Sequence, residues 1–191
     1  MQNLRQLFDD WLLEVKKDLA KRGNFWNPTL VTLPAEARTV VLRNLDSSFD
    51  SASKLPCFVI HTDIRSQKWG QLRREPACSL HFYCTERKWQ MRLDCVARLC
   101  SQDDYAQSQW QQLSPRSKRI YALKHQPGSA VKDPQIAYCF EADDKAYDNF
   151  GVLVLQATNL ESLQLEQPDR TDYHVRAVWN LESDEYSYLA P

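Results

Sequence analysis

The sequence predicts a mainly β (β+α) fold: an antiparallel barrel, closed or nearly closed, with helices at its periphery. Three observations predict it. Many short strand-like runs are bounded by turn residues, two pairs of runs have the spacing of hairpins, and helical periodicity is confined to a few segments. A chain of 191 residues is long enough for a sizeable core, so residues 1–191 read as one domain.

The elements follow in order. Leu4, Leu7, Phe8, Trp11, Val15 and Leu19 recur at helical spacing with Asp9, Asp10, Lys16 and Lys17 on the other side, which predicts an amphipathic core-packing helix over 3–22 closed by Gly23. Residues 28–33 form a short strand candidate. Residues 37–45 form a stronger one, with Arg38, Val40 and Leu42 alternating against Thr39, Val41 and Arg43. The Ser- and Asp-rich stretch 46–54 is a loop. The apolar run Cys57-Phe58-Val59-Ile60 is a buried strand ended by Thr62-Asp63, and Ser66 is a good N-cap for a helix over 67–74 that stops before Pro76. Residues 78–84 and 89–97 make an antiparallel hairpin turning at Thr85-Glu86-Arg87-Lys88. A helical insertion occupies about 102–125, its second helix opened by Ser114-Pro115. Gln126-Pro127-Gly128-Ser129 is a turn, and 150–156, 162–166 and 173–179 are the last strand candidates.

Composition excludes several classes. The net charge of −1 argues against broad attraction to nucleic acid or anionic membrane, and no apolar run approaches a membrane span. The N-terminus reads as an amphipathic segment rather than a secretory signal. Six cysteines contain no CxxC pair and fall mostly in strand-like runs, as small core residues of a cytoplasmic, reducing compartment do. The four histidines lack metal-ligand spacing, so no metal site is expected, and four glycines supply no dinucleotide-binding GxGxxG.

The stretch His61-Thr62-Asp63-Ile64-Arg65-Ser66-Gln67-Lys68 carries the most chemistry. A strand entering a Ser-capped helix aims backbone N–H groups and the positive end of the helix dipole outward. With Arg65 and Lys68 it would hold a phosphate; the alternative is a plain capped helix with solvated charges. Arg38 and Arg43 point to opposite faces by strict alternation, so both serve one ligand only at different ends or across a bulge. Gln90 lies between Trp89 and Met91, where its amide meets either a heteroaromatic edge or water. His174 and Arg176, two apart, share one strand face.

The order Ala37-Arg38-Thr39-Val40-Val41-Leu42-Arg43, then Thr62 to Lys68, then Trp89-Gln90, and finally Tyr188-Leu189-Ala190-Pro191 resembles the pyridoxamine 5′-phosphate oxidase family, from about residue 5 to the end. The Thr-Asp-x-Arg-Ser-x-Lys form is most similar to its branch of FMN-binding oxidase-like proteins. The resemblance implies an FMN-binding split β-barrel, Greek-key-like, in a homodimer with FMN at the subunit interface. Arg38, Ser66 and Lys68 would then hold the FMN phosphate, with Gln67 where the oxidases often carry a second arginine. Val40, Val41 and Thr62 would line the ring and ribityl chain, and Gln90 would contact the ring. The Gln126-Pro127 turn, Leu165 (in place of a frequent tryptophan) and Arg176 would come from the partner. His174 and Arg43 would orient substrate.

The substrate side departs further from the resemblance. Asp172 stands where an arginine is expected, and Trp110, Ser114 and Lys118 replace the tyrosine, arginine and serine that bind the substrate phosphate. Pyridoxamine phosphate is therefore expected to be a poor substrate. An FMN-dependent oxidoreductase with an altered substrate, a non-catalytic FMN carrier or sensor, and a binder of another planar ligand such as haem all share this scaffold. The phosphate residues disfavour the last.

Overall fold

The computed structural model describes residues 4–52, 55–141, 145–165 and 174–191. An N-terminal helix α1 (Leu4–Lys21) precedes strands β1 (Thr29–Thr32), β2 (Glu36–Thr39), β3 (Leu42–Asp46) and β4 (Cys57–Asp63). Helix α2 (Gln67–Arg74) leads into the hairpin β5 (Ala77–Cys84) and β6 (Trp89–Cys100). Helices α3 (Asp104–Gln111) and α4 (Pro115–Arg119) follow, then β7 (Phe150–Gln164), β8 (Val175–Asn180) and β9 (Glu185–Leu189).

Every strand pairing is antiparallel, in the order β2-β1-β5-β6-β7-β4-β3, with β8 and β9 branching from β7. The two ends of that path, β2 and β3, are joined by Val40 and Val41 alone. Three Cα–Cα steps reach at most about 11 Å. The sheet must therefore curl until its edges meet, which makes a barrel, and since β2 and β3 do not pair the barrel is split there. β7 organises the other side. It pairs with β6 along nearly its whole length, and on its other edge first with β4 through Leu155, then with β8 from Asn159.

The interior is filled from alternate positions of these strands, with Leu30, Leu42, Phe58, Leu80, Phe82, Leu93, Leu153 and Leu160 fully buried. Helix α1 plugs the barrel with Leu7, Phe8, Trp11 and Val15. The Trp11 ring meets Phe82 edge-on at 5.4 Å, and Phe8 lies 5.8 Å from Trp179. A second apolar cluster covers the outer face of β4 and β7, where Cys57, Val59, Phe150 and Val152 meet Ala106, Tyr121 and Ala122. This double burial explains the unbroken apolar run of β4.

Several expectations change. The strand over 37–45 is two strands on opposite edges: Val40 donates its amide to the Pro28 carbonyl at 2.9 Å and turns inward, breaking the ladder although the alternation runs on. The separate segments expected over 150–156 and from 162 belong to one strand, β7, which ends at Gln164. Its polar middle hides a bulge, in which Asp94 opposes Asn159 and Cys95 opposes Ala157, so Thr158 is the extra residue. The last strand candidate begins at Val175, with Tyr173, like Glu166, outside the described residues, and β9 was not expected. Gly23 is not the left-handed residue that ends α1: Arg22 is, at φ 57°. Gly23 serves close approach, since a Cβ there would lie 2.1 Å from Asp18 Oδ1. All six cysteines are free thiols and only Cys139 is exposed.

Two glycines give opposite expectations. A Cβ at Gly151 on β7 would lie 2.6 Å from both Ile64 Cγ2 and Trp69 Cζ3, whereas one at Gly70 inside α2 meets nothing within 4 Å. Gly151→Ala should cost about 1–3 kcal/mol by overpacking. Gly70→Ala should gain about 0.5–1 kcal/mol of helix propensity. Urea unfolding midpoints of the two variants check both signs.

Candidate functional site

The site begins where β4 hands over to α2. Asp63 accepts hydrogen bonds from the Arg65 amide (2.8 Å), Nε (3.0 Å) and Nη2 (2.7 Å). The Arg65 guanidinium also donates to the Leu123 carbonyl at 2.9 Å. Its charge is spent on a buried carboxylate and its reach on the main chain after α4, so the expected anion contact by Arg65 is not made. Ser66 is the N-cap residue of α2, but its hydroxyl does not bond the helix amides. It lies 3.2 Å from the Thr62 hydroxyl, buried with it under the first turn.

Lys68 extends along the same side, its Nζ 3.2 Å from Thr62 Oγ1. Burial, and then the nearby Arg38 guanidinium, hold its pKa below the ordinary lysine value, with Asp63 opposing. No carboxylate among the described residues lies within ion-pair distance of Lys68. Arg38 reaches this spot from β2, donating to Thr32 Oγ1 (2.6 Å), Glu36 Oε2 (2.7 Å) and Gln71 Oε1 (3.1 Å). Gln67 is tied to the other oxygen of Glu36 at 2.6 Å. Lys68 thus stands beside two hydroxyls at the start of a helix with a second cation, Arg38, near it, and one carboxylate, Glu36, is set against Arg38. Like charges brought together are an unfavourable arrangement that a bound anion relieves.

Beside this cradle lies a cleft of about 340 Å³, walled by Thr39–Val41, Arg43, Ile60–Asp63, Lys68, Ile120, Tyr121, Leu123 and Pro127. It opens at the Val40–Val41 crossing, so the break in the strand resolves the alternation problem: Arg43 stands in the cleft wall while Arg38 stands beside Lys68. Two cleft residues carried no sequence signal beyond interrupting apolar runs. His61 packs edge-on to Phe150 at 5.1 Å, with Nε2 3.2 Å from Gln109 Oε1 and Nδ1 buried without a partner. Burial pushes its pKa down to about 4, Gln109 opposing and Arg43 adding to the fall. Burial likewise raises the Tyr121 phenol to about 12.

The remaining expected residues lie elsewhere in the chain. Gln90 pairs with Leu163, and Leu163 with Arg176, as one cross-strand row on the outer face of the sheet, with Leu165 one pleat further on. Leu163 carried no mark of this place in the sequence. The His174 Nδ1 donates to the Leu165 carbonyl, which anchors the imidazole at the strand end. Gly151 faces Thr62, so this row lies twelve positions further along β7 than the cleft, past the Thr158 bulge. None of the residues of that row is among those that line the cleft. One chain therefore brings together Arg38, Val40, Val41, Thr62, Ser66, Gln67, Lys68 and Arg43, and does not bring Gln90, Leu165, His174 or Arg176 to them. Pro127, expected from a partner, lines the cleft of its own chain, and the Gln126 carbonyl accepts from the Ser129 amide at 3.2 Å. Asp172 lies outside the described residues.

Residues 9–101 match the family model described as the pyridoxamine 5′-phosphate oxidase FMN-binding domain. This half of the chain carries the cradle, and FMN is the cofactor that the match assigns. No curated protein sequence matches the chain. Among solved structures, a pyridoxamine 5′-phosphate oxidase-related, FMN-binding protein from Nostoc punctiforme superposes with a TM-score of 0.71 at 20% identity, covering 95% of this chain and 96% of that one. PhzG from Burkholderia lata, solved with tetrahydrophenazine-1-carboxylic acid, gives 0.69 at 16% identity, covering 97% and 91%. These likenesses establish the fold as the FMN-binding split barrel. No helix among the described residues is long and apolar enough to cross a membrane.

The neutral His61 makes stability depend on pH. Its folded pKa, about 4, lies below the ordinary 6.5. The unfolded chain therefore binds the proton first, and stability present above pH 6.5 declines as the pH falls toward 4. The decline from this group is at most about 3 kcal/mol. Urea titrations across that range should show a shallower fall for His61→Gln than for the native chain.

Proposed function

We propose that this chain, whose first half has the pyridoxamine 5′-phosphate oxidase type of FMN-binding domain, is an FMN-dependent oxidoreductase working as a homodimer. The observation that carries the reading is Lys68 set against the hydrogen-bonded Thr62 and Ser66 hydroxyls, with Arg38 near enough to lower its pKa and with no carboxylate partner for Lys68 among the described residues. A terminal phosphate is the anion such a cradle suits: it is compact, carries up to two charges, and accepts from guanidinium, ammonium and hydroxyl together. Val40 and Val41 offer the adjoining apolar wall for a flavin ring, and the Thr62 region lines the way to it.

When bound, FMN supplies hydride and electron transfer at its ring; the chain supplies binding, orientation and exclusion of water. Lys68, Arg38, Ser66 and Gln67 fix the phosphate end, and the Asp63–Arg65 pair fixes the wall that carries Leu123. Arg43 presents a cation in the cleft away from the cradle, suited to an anionic substrate group. The row of Gln90, Leu165 and Arg176 does not line the cleft of its own chain, so in this reading it closes the cleft of a second copy, with His174 at its edge. A two-fold axis then generates two equal sites. Pyridoxamine phosphate is not the substrate this chain is shaped for. Ser114 is engaged as the cap of α4, and Lys118 lies over the Trp110 ring at 5.2 Å. The barrel holds as a single domain, and its buried, unpaired thiols suit a reducing compartment such as the cytoplasm.

Fluorescence titration of the apo-protein with FMN and with FAD tests the reading. FMN should bind more tightly, and Lys68→Ala should weaken it by about 1.5–3 kcal/mol, a ten- to hundredfold loss. Photoreduction followed by reoxidation in air should proceed with the flavin retained. Equal affinity for both flavins, or indifference to Lys68, contradicts it.

A further inference from the structure

We infer that Glu161 is a positioning residue for the flavin: it aims Arg176, and by sharing its charge with Arg92 it sets how much positive charge Arg176 presents. The inference rests on reading Arg176 as a flavin contact in the partner's site. Glu161 lies on the outer face of β7, one pleat from Leu163, in a row with Arg92 of β6 and Val178 of β8. On that open face it is nonetheless 7% exposed. A carboxylate so buried needs compensation, and its two oxygens are divided between two arginines. Oε1 accepts from Arg176 Nε at 3.0 Å and lies 2.8 Å from Nη2, while Oε2 accepts from Arg92 Nη2 at 2.6 Å.

Two consequences follow from this geometry. Paired contacts along one edge of the guanidinium fix its plane, leaving Nη1 toward the end of β9, where the Ala190 carbonyl lies 3.5 Å away. The cluster also carries two positive charges against one negative. With half of the carboxylate engaged by Arg92, Arg176 keeps more net positive field than it would in a simple one-to-one pair. A positive field beside a flavin favours the negative charge gained on reduction. Arg92 is half exposed, so solvent screens its direct field, and its effect at the flavin is chiefly to offset the Glu161 carboxylate that faces Arg176.

The test uses the FMN-loaded dimer with two readouts, FMN affinity and the flavin midpoint potential. Glu161→Gln should weaken FMN binding about tenfold, and in an Arg176→Ala background it should add nothing, the signature of a residue acting through another. Arg92→Gln leaves Glu161 wholly to Arg176, so it should lower the midpoint potential, whereas Arg92→Lys, which keeps the charge, should not. Additive losses in the Glu161 double variant, or an Arg92→Gln variant whose midpoint potential equals the native one, overturn the inference. If Glu161→Gln fails to fold, the Arg92 series decides alone. Native protein that takes up no FMN overturns the cofactor reading itself. Arg176→Ala with native affinity overturns the placement of Arg176. Either result takes this inference with it but is told apart from its own failure.

Discussion

Two residues between β2 and β3 constrain the whole molecule. Because Val40 and Val41 alone connect the opposite ends of a seven-strand path, the sheet has to curl until its edges face each other. Curling creates an interior that alternate side chains fill and that α1 plugs with Trp11 and Phe8. It also brings Arg38 on one edge and Arg43 on the other to the same end of the barrel, beside the residues that follow β4. The cleft is thus a consequence of closure, and its apolar wall is the crossing itself.

Charge is allotted in advance within that end of the barrel. Asp63 takes Arg65, and Glu36 takes Arg38 in part, while Lys68 has its pKa held low by burial and by Arg38. Asp63 and Arg65 also fasten the segment after α4 through the Leu123 carbonyl, so the pair that resembles a ligand contact shapes the cleft wall instead. His61, half-buried and neutral, adds no charge to the cleft near neutral pH. The electrostatics leave the Lys68–Arg38 corner as the place where an anion is most favoured.

Much of this fold was legible in the sequence, because periodicity reports burial on one face. The amphipathic α1, the hairpin of β5 and β6, and the strand-to-helix step at Ser66 all show a pattern that packing then uses. The break at Val40–Val41 was not legible, since alternation continues through it while the pairing partner changes. The bulge at Thr158 hid the continuity of β7 for the converse reason: a polar stretch reads as a turn, yet an extra residue is absorbed by the neighbouring strand. At the site, Thr62, Ser66 and Lys68 meet at one corner. Sequence order alone could not tell that Arg65 is taken by Asp63, that Ser66 turns to Thr62, or that Glu161 lies between two arginines from separate strands. Those outcomes depend on register and on which partner lies nearest.

The distance along β7 between the cradle and the Gln90–Arg176 row is the strongest physical reason to think in pairs of chains. Complementation tests it most directly. In a mixture of Lys68→Ala and Arg176→Ala chains, each heterodimer joins the native cradle of one copy to the native row of the other at one of its two sites. Unfolding the two variants together and refolding them should restore tight FMN binding to about a quarter of the full capacity, since half of the dimers are mixed and half of their sites are intact. Recovery of no tight site on mixing, although each variant folds and pairs, would contradict a flavin site built from two copies.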